Sequence, residues 1–250
     1  MTMPLSTATD MIETDIVNLH NITMVQAMTK IADMGETAKL DIVVTPNIDH
    51  LARLLKEGNS SLLSEIYHTA SLCLCDSRIL EKLLKLKNKK VKEVITGSSL
   101  TQNLFDSDLM HNRKVMIVGG TKHVFDKLKA LYPKQNLHHI NPPMGFIDNE
   151  AEVEKVLHFT QTLSPHYIFL AVGSPRQEIL AHKLKDHLTS GVAICIGASI
   201  LFLVGNEQRA PLWVQNCHME WMYRMLQNPK VLVKRYFENF LKINSIYKVL

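Results

Sequence analysis

Lys114-Val115-Met116-Ile117-Val118-Gly119-Gly120-Thr121 decides the fold class: an apolar run of strand length, two glycines, and a threonine that opens a helical period through Val124, Leu128 and Leu131. A buried strand passing through a tight turn into a helix is half of a βαβ unit. The same grammar recurs outward in both directions. Apolar runs lie at Leu40 to Thr45, Ala70 to Cys75, Val91 to Thr96, His166 to Val172 and Val192 to Ile196. They stop at Thr45-Pro46-Asn47, Asp76-Ser77, Thr96-Gly97-Ser98-Ser99, Gly173-Ser174-Pro175 and Gly197-Ala198-Ser199. Strands alternating with helices predict a Rossmann-like α/β fold, a mostly parallel sheet with flanking helices. In such a sheet the strand-to-helix turns share one edge, and ligands bind outside the carboxyl ends of the strands. The turns therefore delimit a candidate site.

The rest of the chain sets the boundaries of that reading. Its 250 residues are 46% hydrophobic and 21% charged, a soluble globular composition that excludes a disordered tail, a disulfide-stapled miniprotein and a polytopic membrane protein. No run reaches the roughly 18 apolar residues of a spanning helix, and Met1 to Asp15 lacks a basic segment followed by an apolar one, so a cytoplasmic location is expected. Cys73, Cys75, Cys195 and Cys217 form no C-x-x-C pair, which fits free thiols in a reduced compartment. From Trp213 onward the strand pattern ends. Residues 1–208 are read as the Rossmann-like core and residues 209–250 as a helical C-terminal appendage on it.

The net charge of +4 is unevenly placed. Between Arg224 and Leu250 six basic residues face the single acid Glu238, so Met1 to Tyr223 comes to about −1. Leu226, Val231, Leu232, Tyr236, Phe237, Phe240, Leu241, Ile243, Ile246 and Tyr247 are interleaved with them. Three readings of such a segment are a solvated helix packed on the core, an interfacial helix on an anionic membrane, and a nucleic-acid surface. Its apolar content exceeds that of a merely solvated face, aromatics mixed with Lys and Arg suit headgroups, and nucleic acid calls for a larger basic excess over the whole chain.

Several residues carry candidate chemistry. Gly119-Gly120 reads equally as a tight turn and as a phosphate cradle at a helix start, since it is neither G-x-G-x-x-G nor a Walker loop. Asp76 stands at a strand end on the ligand edge; it reads as the N-cap of the following helix or as a general base for an incoming hydroxyl. Gly173-Ser174-Pro175-Arg176-Gln177-Glu178 is the densest cluster and directs a cation and amide donors toward the cleft. Arg209, in Arg209-Ala210-Pro211-Leu212-Trp213, supplies a second arginine, and two arginines can neutralise a diphosphate without metal.

Other motifs are set aside. Asp106-Ser107-Asp108 has the D-x-D form of metal-dependent sugar transferases, but it precedes the Lys114 strand and so lies at the amino end of the sheet, as a solvated loop. The twelve histidines show no ligand spacing, and His138-His139 would point to opposite faces of a strand; no metal site and no other cofactor is expected. Ser174 and Ser199 lack the G-x-S-x-G elbow of a serine hydrolase. A nucleotide-dependent dehydrogenase would need a G-x-G-x-x-G turn, which Gly119-Gly120-Thr121 does not supply.

Taken in order, Thr45-Pro46-Asn47, Asp76, Thr96-Gly97, Gly119-Gly120, Gly173-x-Pro175-Arg176-Gln177-Glu178, Gly197-Ala198, Arg209-Ala210-Pro211-x-Trp213, Glu220-Trp221-x-x-Arg224, Gln227-x-Pro229 and Arg235-Tyr236 resemble the WecG/TagA/CpsF family of glycosyltransferases. The likeness runs from about Thr14 to about Leu241, and its second half is the more specific. It implies a metal-independent, inverting enzyme that moves an N-acetylmannosamine-type sugar, its uronic acid or glucose from a UDP-sugar to an undecaprenyl-diphosphate-linked saccharide. It implies a peripheral location at the inner face of the cell membrane, met through the basic appendage. A homo-oligomer is compatible with it, and no nucleic-acid partner is expected. By the resemblance Asp76 is the base, Thr45 and Asn47 line the site, Gln177 faces the pocket, and Arg209 and Arg224 close over the diphosphate. Thr96, Gly97, Gly119, Gly120, Gly173, Pro175, Arg176, Glu178 and Gly197 complete the expected substrate-binding set.

Three departures stand out against that pattern. The usual Pro-Asp-Gly is Cys75-Asp76-Ser77, the usual T-G-x-D is Thr96-Gly97-Ser98-Ser99, and the aspartate of G-G-A-F-D-F-L-A-G is Leu201. They motivate an altered sugar specificity, a weakened enzyme, or a relative that binds a UDP-sugar or a partner without catalysis.

Overall fold

The computed structural model of the chain describes residues 11–206, 223 and 229–250. Strands β1 (Met11–Ile12) and β2 (Leu19–His20) form a small antiparallel pair ahead of helix α1 (Met24–Met34). The core then runs β3 (Asp41–Val44), α2 (Ile48–Glu57), α3 (Leu62–Thr69), β4 (Leu72–Cys73), α4 (Arg78–Leu86) and α5 (Gly97–Asp106). It continues through β5 (Lys114–Val118), α6 (Lys122–Leu131), β6 (Asn136–Ile140), α7 (Glu150–Leu163) and β7 (Tyr167–Leu170). After α8 (Arg176–Leu184), β8 (Val192–Cys195) and the short α9 (Ser199–Leu203), the last described helix is α10 (Pro229–Val249).

Six strands pair in the order β4-β3-β8-β7-β5-β6, and every neighbouring pair is parallel. All their carboxyl ends therefore face one edge. The alternation of side chains along each strand divides the core in two. Ile42, Val44, Met116, Val118, Ile168, Leu170, Ala193 and Cys195 pack under α2, α3, α4, α7 and α8. Val43, Val115, Ile117, Phe169, Val192 and Ile194 pack on the other face under α1, α5, α6 and α9. Both faces are covered, which is why the strands read as continuous apolar runs rather than as alternating ones.

Four of the six expected strands form at or near their expected bounds, and a fifth, Ala70 to Cys75, shrinks to Leu72–Cys73. The expected strand at Val91 to Thr96 does not form. Residues 91–96 run beside the β4 edge with one ladder-like bond, Ile95 N–H to Cys75 O at 2.9 Å, while Asn21 takes the Lys90 carbonyl and the Lys92 N–H. The Asn21 side chain thus takes part of the backbone pairing at this edge. The sheet is completed by β6, whose Asn-Leu-His-His-Ile sequence sits at the opposite edge and has one buried side chain, Leu137. Edge strands need little apolar content, so periodicity passes over them. Its histidines do diverge: His139 stacks on Phe125 with ring centroids 4.6 Å apart, and His138 bonds Asn136 at 3.0 Å.

Helix α10 is built into the core. Ile246 and Leu250 are buried among the residues under α2, and Lys242 Nζ donates to the Ala52 carbonyl at 3.3 Å. Asp15 N–H donates to Val249 O at 3.0 Å, and Lys89 donates to the carbonyls of Glu13 and Leu250, so both ends of the described chain meet beside α4. The outer face of α10 is different. Val233, Phe237, Phe240 and Leu241 are 49%, 63%, 68% and 64% exposed and fall on one stripe at helical spacing.

Candidate active site

A cavity of about 630 Å³ opens at the carboxyl edge, across the ends of β4, β3, β8 and β7. Thr45, Asn47, Asp76, Thr96, Gly173, Arg176, Gln177 and Gly197 line it. Four separate strand-to-helix turns thus converge, although up to 152 residues of sequence separate Thr45 from Gly197.

Each turn is fixed by local chemistry. Asn47 caps α2: its Oδ1 accepts from the N–H groups of Asp49 and His50 at 3.0 and 3.4 Å, and His50 Nδ1 accepts from the Asn47 N–H at 3.1 Å. With Oδ1 engaged, the amide nitrogen is the part of Asn47 that can donate to a ligand. Thr96 caps α5 by accepting from Ser99 N–H at 3.1 Å and donates its hydroxyl to Ser99 Oγ at 2.9 Å. Ser99, which replaces an expected carboxylate, thereby closes its own turn. Gly97 is buried; a Cβ there would stand 3.1 Å from Thr45 Oγ1, so its missing side chain lets α5 start against β3.

Asp76 follows β4, and its N–H donates to Pro46 O at 3.0 Å, which sets the carboxylate beside the Thr45-Pro46-Asn47 turn. The capping role expected of Asp76 belongs to Ser77. The Ser77 backbone is extended, with φ −160° and ψ 122°, and its hydroxyl accepts from Leu80 N–H at 3.2 Å. Asp76 is therefore not the N-cap of α4. Its neighbour Cys75 is buried, and burial pushes that thiol up to about 12, so it stays protonated at neutral pH.

Gln177 and Glu178 divide their work. Gln177 Oε1 accepts from Gly197 N–H at 2.8 Å, and Nε2 donates to Glu178 Oε1 at 3.0 Å, the same oxygen that Tyr67 OH reaches at 3.0 Å. Glu178 is 1% exposed and absent from the cavity wall, so it supports Gln177 from behind instead of meeting a ligand. Desolvation by burial, and after it the charge of Glu178, raises the Tyr67 hydroxyl well above its ordinary value. Pro175 sits at the start of α8, also off the wall.

Gly119 and Gly120 end β5, beyond the four strands that floor the cavity, and neither lines it. The two glycines form a tight turn between β5 and α6. A Cβ on Gly119 would meet Ala171 O at 2.8 Å, and the backbone holds φ +99° and +77° at the two glycines. His139 Nε2 lies 3.1 and 3.0 Å from their carbonyls. Carbonyl oxygens only accept, so that nitrogen carries the proton. Asp106 and Asp108 lie at the amino edge, where Tyr132 OH donates to Asp106 at 2.7 Å and His111 stands 3.2 Å from Asp108. Among the described residues, no group of three or more His, Cys, Asp or Glu side chains is placed to hold a metal ion. Arg209 and Arg224 lie outside the described residues.

The structure adds wall residues that were not among the expected site residues. On α2, His50 and Arg53 follow Asn47 at spacings of three and six, a one-face pattern that could have marked them. Arg53 Nη1 donates to Ser174 Oγ at 2.8 Å and Nη2 faces Asp49 at 3.5 Å, while Asn239 of α10 donates to the other Asp49 oxygen at 3.2 Å. Tyr236, Asn239, Phe240 and Ile243 bring α10 to the rim. Arg78 and Ile79 open α4 on the far side.

Comparison with known proteins bears on this site. A family model described as "Glycosyl transferase WecG/TagA/CpsF family" matches residues 14–248. A Bacillus spizizenii relative named N-acetylglucosaminyldiphosphoundecaprenol N-acetyl-beta-D-mannosaminyltransferase is 31% identical over 150 residues, 58% of this chain and 56% of its own length. A Bacillus subtilis protein of the same name is 24% identical over 221 residues, 84% of this chain and 83% of its own. A Staphylococcus aureus one is 27% identical over 172 residues, covering 66% and 65%. The chain thus spans little more than half of the first of these relatives and most of the second.

Proposed function

The chain belongs to the WecG/TagA/CpsF family of glycosyl transferases, and from that premise we propose that it transfers an N-acetylmannosamine-type sugar from a UDP-sugar to a saccharide carried on undecaprenyl diphosphate, with inversion and without metal. The observation that carries the reading is Asp76: a carboxylate on the cavity wall whose expected capping duty is taken by Ser77.

In this account Asp76 takes the proton of the acceptor hydroxyl as that oxygen attacks the anomeric carbon. The bond from that carbon to the UDP β-phosphate oxygen breaks on the opposite face, and the electron pair leaves with UDP. Arg176 and the N-termini of the helices around the cavity meet the charge that develops on the leaving diphosphate. Arg209 and Arg224 join it in the reading drawn from the family. Thr45, Asn47 and Gln177 orient the donor.

A lipid-linked acceptor requires the site to work against a bilayer. The exposed stripe of Val233, Phe237, Phe240 and Leu241 supports that placement, with Phe240 both on the stripe and on the cavity wall. No described helix is long and apolar enough to cross a membrane. The test is turnover of a panel of UDP-sugars with a lipid-diphosphate N-acetylglucosamine acceptor, with and without EDTA. Transfer that persists in EDTA supports the reading. UDP binding with no transfer from any donor would favour the binding-only alternative that Ser77, Ser99 and Leu201 motivate.

A further inference from the structure

Three arginines line the described part of the cavity, and they differ in what engages them. Arg53 is committed to Ser174 and Asp49. Arg176 has the Met144 sulfur 3.1 Å from Nη1. Arg78 is exposed, and among the described residues no hydrogen bond or ion pair engages it. A guanidinium is always charged and matches phosphate oxygens in pairs, so an unengaged one on a ligand cavity is a ready anion site.

Its position says which anion. Arg176 opens α8 after β7, and Arg78 opens α4 after β4. In the order β4-β3-β8-β7 those strands are three places apart, which puts their ends about 14 Å from each other at ~4.8 Å per strand. The two cations enter the cavity from opposite ends. Asp76 stands two residues before Arg78, at the same end. A general base must lie within hydrogen-bond reach of the hydroxyl it deprotonates, so the acceptor sugar sits at the β4 end and the leaving UDP toward Arg176. The proposed acceptor carries a diphosphate of its own, one sugar ring from the attacked hydroxyl. We infer that Arg78 binds the diphosphate of the lipid-linked acceptor and selects for acceptors that bear one, an inference that rests on the transferase reading.

The reaction then has two diphosphates and a separate cation for each.

The experiment compares two acceptors with the same sugar: farnesyl-diphosphate-linked N-acetylglucosamine and its uncharged octyl glycoside. The wild-type protein should prefer the diphosphate acceptor in kcat/KM by about tenfold or more, the loss expected for one charge-assisted contact. R78Q should erase that preference, R78K should restore part of it, and calorimetry should find UDP affinity unchanged in both. Arg78 is exposed, so these variants keep the fold. A preference retained by R78Q, a wild type with no preference, or a parallel loss of UDP affinity in R78Q would each overturn the assignment. Absence of transfer by the wild type to either acceptor would overturn the transferase reading itself, and that result is seen before any substitution is made.

Discussion

Gln177 Oε1 accepts the Gly197 N–H at 2.8 Å, and this bond ties the first turn of α8 to the turn after β8 across neighbouring strands. The orientation of the amide is set at both ends, because the Gly197 N–H needs an acceptor and takes Oε1, which leaves Nε2 to donate to Glu178 Oε1 at 3.0 Å. Q177A leaves a backbone donor without its partner and should cost about 1–3 kcal/mol, read as a lower urea midpoint at unchanged slope. E178Q loosens the Glu178 end and should weaken UDP binding only where Gln177 is present. A double-mutant cycle on UDP affinity checks this. Equal losses from E178Q in the wild-type and Q177A backgrounds would detach Glu178 from the site.

Gly119 offers the complementary case, a conspicuous turn glycine that lies off the wall of the described cavity. G119A places a Cβ 2.8 Å from Ala171 O at φ +99°. The strain should destabilise the protein by roughly 1–3 kcal/mol. UDP affinity measured below the melting temperature should stay at the wild-type value. A variant of wild-type stability that binds UDP poorly would return the phosphate role to this turn.

How much of this was legible in the sequence follows from what periodicity can and cannot carry. The buried strands announced themselves because both faces of the sheet are covered, so Lys114 to Val118 and Val192 to Cys195 read as unbroken apolar runs. The edges did not: β6 needs few apolar residues, and the Val91 to Thr96 run gives its Ile95 N–H to Cys75 and its Lys92 N–H to the Asn21 side chain instead of forming a continuous ladder. The turn residues Thr45, Asn47, Thr96, Gly173, Arg176, Gln177 and Gly197 were legible because a parallel sheet gathers its strand ends. The capping by Ser77 is a choice between two adjacent polar residues that spacing leaves open, whereas the inward turn of Glu178 and the arrival of Tyr236, Asn239 and Phe240 from α10 depend on packing between elements far apart in the chain.

Helix α10 is bound to the core through its last turns. Ile246 is fully buried, so I246A should cost about 2–5 kcal/mol by thermal or urea denaturation. Removing residues 229–250 should lower the melting temperature further, because Asp49, Ala52, Asp15 and Lys89 all lose partners. An undiminished melting temperature after that deletion would make α10 a detachable tail.

Stability should fall on both sides of neutrality, for opposite reasons. Burial holds His20 below its ordinary 6.5, with Lys30 adding to the effect. The unfolded chain therefore takes up a proton that the folded one refuses, and stability is lost as pH drops below about 6.5. Burial raises the thiols of Cys73, Cys75 and Cys195 above their ordinary 9.0. Their stabilisation is complete below that value and is lost as pH rises through it toward the folded values. Melting temperatures from pH 5 to 10 in one ionic strength check both limbs; a flat alkaline limb would contradict the burial of the thiols.

Asp76 is the proposed base, and D76N isolates that role because the amide keeps the shape of the turn while losing the carboxylate. With UDP affinity and melting temperature at wild-type values, kcat for transfer to the lipid-diphosphate acceptor should fall by about 10²- to 10⁴-fold. A D76N protein that transfers sugar at near the wild-type rate would show that Asp76 is not the base.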